Sequence, residues 1–363
     1  MTAVKRIVDG DGHIIEELDA IAKFIPSPYK EGPINEGKIF PPLDHLHQHN
    51  QVTTSAELSG RSFNQGPAEW DNFLAYTGID TTVVYPTLAL SYGRIVSVDW
   101  AIAATRAYND WLYETYLARS PKFRGMGLIP GQHVESAVQE LRRIVEDLGM
   151  HGAMLPAMGF DVHPGANTYW PIFEEANRLG CTIAYHGGAH SGIGLDRMNR
   201  YAPVHAMGHP IEIMLALSSV VFNGLLERYP NVRHVFLEGG VGWIFMALER
   251  FDRSHVTHPE YDAYKQWGPQ IEDTISDYIK KHIDEGRIFF GIEGDEALLP
   301  VAVDEVGHQP FVYSSDFPHE VSNEMCKEEI QEVLANEALS DEAKEGILHG
   351  NSEQLYNLAP VQV

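Results

Sequence analysis

The sequence predicts an α/β fold, a single (β/α)8 (TIM) barrel with a long lid insertion after the first strand. Three observations predict it: eight short apolar runs, helix-period segments between them, and acids and histidines gathered where the runs end. In order, the runs are 6–12 (RIVDGDG), 81–87 (TTVVYPT), 123–130 (FRGMGLIP), 152–156 (GAMLP), 182–187 (TIAYHG), 233–239 (RHVFLEG), 288–293 (IFFGIE) and 311–316 (FVYSSD). Each is rich in β-branched, aliphatic or aromatic residues and stops at glycine, proline or a polar side chain, as a buried parallel strand does. Between them, 136–148 places Val138, Leu141, Ile144, Val145 and Leu148 on one helical face, and 212–229 does the same with Ile213, Met214, Leu217, Val220 and Val221. An open doubly wound sheet would give the same local signals, but eight alternations favour closure. The stretch 14–79 is far longer than the roughly 2 to 6 residues of an ordinary connection between strand and helix. It contains FPPLDHLHQHN at 40–50 and is expected to cover the active face. No repeat or linker divides the chain, so 1–363 is expected to be one domain.

A composition of 44% hydrophobic and 21% charged residues can bury a sizeable core. Lys and Arg total 26 against 51 Asp and Glu, and the net charge of −25 repels polyanions, which excludes nucleic acid as a natural partner. No run approaches the roughly 18 to 20 consecutive apolar residues of a membrane span, so a cytoplasmic protein with no membrane partner is expected. Cys181 and Cys326 show no CxxC spacing and read as passive thiols. The absence of GxGxxG after a first strand, of a Walker sequence and of GxSxG leaves dinucleotide, ATP and serine-hydrolase chemistry without support.

In a parallel barrel all strand carboxyl ends meet on one face, so residues distant in sequence can converge there. Asp11 and His13, at i and i+2, share a strand face and can chelate one divalent ion. His186, ending the fifth run, and Asp316, ending the eighth, would complete a shell of two imidazoles and two carboxylates, suited to zinc, manganese or iron. Asp and His also satisfy turns and core hydrogen bonds, and a lone DxH would carry little weight. Gly187, Gly188, Gly239 and Gly240 are expected to let the backbone turn beside the ion.

The blocks IVDGDGH, YHGG, YPNVRHVFLEGGVGW, YSSDFPHE and ILHGNSEQLYNL together resemble the amidohydrolase-related family that includes aminocarboxymuconate semialdehyde decarboxylase and γ-resorcylate decarboxylase, over about 5–358. The resemblance implies a (β/α)8 barrel and a metal held by Asp11, His13, His186 and Asp316. Members often carry HxH or ExH where this chain has Asp11-Gly12-His13. Members with aminocarboxymuconate chemistry have a catalytic histidine where this chain has Glu238. The fourth run ends Met154-Leu155-Pro156 with no lysine, so the carbamylated bridge of dinuclear hydrolases is not expected, and one metal is the default.

Further histidines complicate that default. Glu238 and His47, with a shared ligand, could form a second metal position; His45 and His49 read as structural. His205 and His209 lie in VHAMGHPIEIM and His190 follows YHGG; His209 faces the substrate, caps the helix or faces solvent. His319 could orient a neighbour of Asp316. Glu293 and Glu296, ending the seventh run, could bind substrate cations or cap the next helix, with capping favoured, and His151 and His163 read as bland.

The chemistry expected is a metal-dependent hydrolase or decarboxylase acting on a small carboxylate, with one divalent ion and room for two. Asp316 would be ligand and proton shuttle, Glu238 a second acid/base, and His209 a catalytic neighbour. The alternatives are a dinuclear iron or mixed-metal oxygenase, motivated by the histidine-rich lid with Glu238, and a barrel subunit without turnover. Assembly is expected as a homo-oligomer or with a related barrel subunit.

Overall fold

The computed structural model describes residues 4, 6–32, 39–48, 66–258, 271, 274–319 and 321–358. Its strands are β1 (Val8–Ile14), β2 (Thr81–Pro86), β3 (Phe123–Gly125), β4 (Gly127–Leu128), β5 (Gly152–Pro156), β6 (Thr182–His186), β7 (Arg233–Leu237), β8 (Ile288–Ile292) and β9 (Phe311–Tyr313). They pair in parallel and in chain order, β1 to β3 and β4 to β9. All eight expected strands form, the third as two pieces around Met126. That residue keeps the wall continuous: its N–H reaches the Val84 carbonyl (3.3 Å), while Gly127 next to it pairs with Ala153. The barrel closes where β9 leaves the sheet beside β1, through the N–H of His13 to the Phe317 carbonyl (2.7 Å) and the N–H of Asp316 to the Asp11 carbonyl (3.0 Å).

Helices cover the outside and side chains fill the inside, so every residue of β1, β2, β5, β6 and β8 is buried. This is why the strands read as apolar runs rather than as alternating ones. Helix Val134–Glu146 buries Ala137, Leu141 and Ile144 on the expected face. Ser97, Thr274 and Ser322 accept a first-turn N–H of their helices, and Gly78 and Gly180 end theirs in the left-handed region.

Two expectations need correction. The helix expected over 212–229 is Tyr201–Phe222, with Pro210 inside it, followed by the short Leu225–Arg228. Its mean hydropathy of 1.3 over a span-length window would suit a membrane, yet it packs on the barrel and turns His209 and Glu212 inward, both buried. The stretch 14–79 is also less of an insertion than its length suggests. Its last helix, Pro67–Thr77, packs Trp70 on Phe123 (6.0 Å between rings) and stacks Phe73 on Phe317 (3.8 Å), making it the regular barrel helix between β1 and β2.

Within that stretch, 39–48 is a strap. Trp100 Nε1 donates to the Ile39 carbonyl, Ser91 Oγ to that of Pro41, and Arg94 Nη1 to those of Pro42 and Leu43 (2.9 and 3.1 Å). At its other end His45 Nε2 donates to the Met198 carbonyl (2.7 Å), and Leu46 packs with Leu195 and Val204. The strap therefore joins the segment after β2 to the one after β6. His49 lies outside the described residues.

Candidate metal centre

Four side chains named from the sequence, Asp11, His13, His186 and Asp316, come together at the carboxyl ends of β1, β6 and β9. His13 Nε2 is 3.6 Å from both Asp11 Oδ1 and Asp316 Oδ1, and His186 Nε2 is 3.6 Å from Asp11 Oδ2. Asp11, His13 and His186 form one potential ligand group, and His13, Asp316 and His319 a second that shares His13.

The tautomers follow from the hydrogen bonds. His13 Nδ1 lies 2.7 Å from the Pro86 carbonyl and His186 Nδ1 lies 2.8 Å from the Gly187 carbonyl. A carbonyl only accepts, so both Nδ1 atoms carry the hydrogen and both Nε2 atoms present a lone pair. Asp11 Oδ1, His13 Nε2, His186 Nε2 and Asp316 Oδ1 are buried and make no hydrogen bond. Four converging electron-pair donors with no hydrogen between them are a costly arrangement that a cation satisfies. Burial, with His319 and His186 nearby, holds His13 well below its ordinary pKa and hence neutral, as a ligand must be. Burial raises Asp11, with His186 opposing. Two imidazoles and two carboxylates thus fit a divalent transition metal.

The backbone beneath is shaped to hold these groups. One extra residue in β1 between Asp9 and Gly12 relative to β2 forms a bulge, and the Asp9 carboxylate takes the space a side chain at 12 would fill, 2.7 Å from that Cβ position. Asp9 accepts from Thr82 Oγ1 (2.7 Å), Ser315 N–H and Oγ (both 2.9 Å) and Asp11 N–H (3.2 Å), tying together the strand ends that carry Asp11 and Asp316. Burial, opposed by these bonds, pushes it up to about 6. Glu238 and Asp316 have positive φ, 63° and 50°, a conformation that costs L-residues of order 1 to 3 kcal/mol and clusters at functional sites.

Glu238 follows β7, whose Leu237 pairs with His186, so its Oε2 lies 3.5 Å from His186 Nε2. The same oxygen is 3.0 Å from His209 Nδ1, and His205, His209 and Glu238 form a third potential ligand group. His47 is in no such group among the described residues: its Nδ1 bonds Asp44 (2.8 Å) and its ring meets Tyr201 edge-on. His319 Nδ1 is 2.6 Å from Asp316 Oδ1 and its Nε2 is 3.0 Å from Thr87 Oγ1, which orients Asp316.

Other readings change. Glu293 and Glu296 do not cap the next helix, Leu299–Val306, which starts after Leu298 without a side-chain cap. Glu293 instead lines a small pocket with Asp11, Glu238 and Asp316, where burial and Asp316 push it up to about 7. Glu296 anchors the turn after β7 by accepting the Val241 N–H (2.6 Å). Gly188 and Gly240 turn the backbone at positive φ, 128° and 62°, as expected, and all four glycines also leave room for side chains: a Cβ at 187 would meet His209, at 188 Leu90, at 239 Ile213 and at 240 Glu296. His151 bonds the Tyr356 carbonyl away from the centre. Asp9 and Glu212 escaped the sequence reading. The signal for Glu212 was the spacing of 205, 209 and 212 on one helical face.

Residues 41–358 match the family profile described as Amidohydrolase. The chain is 26% identical over 279 residues to 2-amino-3-carboxymuconate-6-semialdehyde decarboxylase of Dictyostelium discoideum, covering 76% of this chain and 73% of that one. It is 24% identical over 268 residues to a γ-resorcylate decarboxylase of a Polaromonas species, covering 70% and 76%. Its fold matches the crystal structure of a variant of 5-carboxyvanillate decarboxylase from Novosphingobium aromaticivorans, with bound manganese and 3-methoxy-4-hydroxy-5-nitrobenzoic acid. That match has a TM-score of 0.72 at 16% identity, covering 99% of each chain.

Proposed function

The chain belongs to the amidohydrolase family, and from that premise we propose that it is a metal-dependent carboxy-lyase acting on a small aromatic carboxylate. The observation that carries the reading is the convergence of lone pairs from Asp11, His13, His186 and Asp316 at the strand ends. The relatives named above are decarboxylases, which favours carbon–carbon cleavage over hydrolysis, and none of them is an oxygenase.

Asp11, His13, His186 and Asp316 would hold one divalent ion. When bound, it would act as a Lewis acid toward the substrate's oxygens. Loss of CO2 leaves an electron pair on the ring carbon, which must be quenched by a proton. Asp316, held by His319, is our candidate to deliver it, with Glu238 the second acid/base and His209 behind it. Glu293, on the wall of the same pocket, would resupply these carboxylates. The strap 39–48 would act as the lid that limits access of water.

The test is CO2 release from a panel of hydroxylated benzoates. Chelation should abolish it and Mn(II) or Zn(II) restore it, and Asp316→Asn should lose both metal and turnover. Full turnover by metal-free protein, or by Asp316→Asn with its metal retained, would overturn the proposal; oxygen-dependent product formation would revive the oxygenase alternative.

A further inference from the structure

Beyond the one-ion site, we propose that the chain holds a second divalent transition-metal position, made by His205, His209 and Glu238.

The argument is a count of hydrogens along a buried chain of side chains. Glu212, fully buried, accepts the Gly188 N–H on Oε2 (3.1 Å) and lies 3.0 Å from His190 Nδ1 through Oε1. His190 Nε2 is 3.2 Å from His209 Nε2, and His209 Nδ1 is 3.0 Å from Glu238 Oε2. The contacts of His190 with Glu212 and with His209 have hydrogen-bond geometry and that of His209 Nδ1 with Glu238 does not, so His190 Nδ1 donates to Glu212 and His190 Nε2 accepts from His209 Nε2–H. His209 Nδ1 is then a lone pair facing a carboxylate oxygen, and that buried nitrogen makes no hydrogen bond. Of the three contacts along this chain, only the last lacks hydrogen-bond geometry. The contact left without a hydrogen is the one beside His205, whose ring centre lies 5.1 Å from that of His209.

A ligand atom from each of His205, His209 and Glu238 lies within 4.8 Å of the others, giving two imidazoles and one carboxylate, a set that suits Fe(II), Mn(II) or Zn(II). The scaffold is built for it. His205 and His209 sit one turn apart on Tyr201–Phe222, and the missing side chain at Gly208 leaves the space His190 occupies, since a Cβ there would lie 2.2 Å from its Nδ1. Glu212 and His190 hold the His209 ring as carboxylate–histidine pairs hold metal ligands elsewhere. Because Glu238 Oε2 also lies 3.5 Å from His186 Nε2, the two positions adjoin.

The full-length protein, stripped with dipicolinate and reloaded with Mn(II), is assayed for metal per chain and for anomalous scattering peaks in crystals. Two ions per chain are expected, one beside Asp11 and His13 and one beside His205 and His209. His209→Ala should retain only the first, with its fold checked by circular dichroism. Glu212→Gln, a milder change at a positioning residue, should weaken the second ion about 10- to 100-fold and spare the first. Saturation of wild type at one ion beside Asp11 and His13 would overturn the proposal and assign the missing hydrogen to a third proton. Survival of the second peak in His209→Ala would also overturn it. A single ion beside His205 would uphold it and overturn the one-ion reading instead.

Discussion

Asp9 touches no proposed ion, yet three strand ends depend on it. Replacing it with alanine would leave the buried N–H of Ser315 and of Asp11 without an acceptor, at about 1 to 3 kcal/mol each. Asp9→Ala should therefore lower the melting temperature and also weaken metal binding, which thermal denaturation and metal titration would read separately. Glu329 makes the opposite case. Burial first, then the nearby Glu293, Asp295 and Asp316, push its carboxyl up to about 8 from an ordinary 4.5. A carboxyl raised on folding contributes stability that is full below about 4.5 and is lost as the pH climbs through about 8. Glu329→Gln, which resembles the protonated form, should melt close to wild type at pH 5 and a few degrees higher at pH 9. A variant that is no more stable at pH 9 would show that the neighbouring carboxylates do not act on this position.

Among the elements, the strap 39–48 is held at one end by Trp100, Ser91 and Arg94, and Arg94 alone reaches two carbonyls, those of Pro42 and Leu43. Arg94→Ala should speed hydrogen exchange and proteolysis within 39–48, and raise KM more than it lowers kcat if the strap is the lid. The helix Tyr201–Phe222 offers a finer probe. Gly208→Ala would place a methyl on the His190 ring, so the orientation of His209 should be lost while helix content, read by circular dichroism, is retained.

At the level of the whole molecule, an ion bound only by the folded chain should stabilise it by about 4 kcal/mol at a thousandfold excess over its dissociation constant, so the melting temperature should climb steadily with Mn(II). A flat titration would argue against any folded-state metal site. The strand ends were legible in sequence because a closed parallel wall forces apolar runs, and because Asp11, His13, His186 and Asp316 sit where those runs stop. The partners of Glu238 were not legible. His47 and His209 are both histidines in connections between strands, and only the direction of a helix entered eleven residues earlier than its periodicity suggested separates them. Nor was the role of Asp9, which depends on a bulge that local periodicity does not reveal. The seam between Asp11 and Asp316 has one more consequence, for synthesis. Asp11 lies on the first strand and Asp316 follows the last, so a nascent chain on the ribosome offers no complete cage until β9 and the turn after it have emerged. An ion held by Asp11, His13, His186 and Asp316 together would thereby load only after the last strand of the barrel has been made.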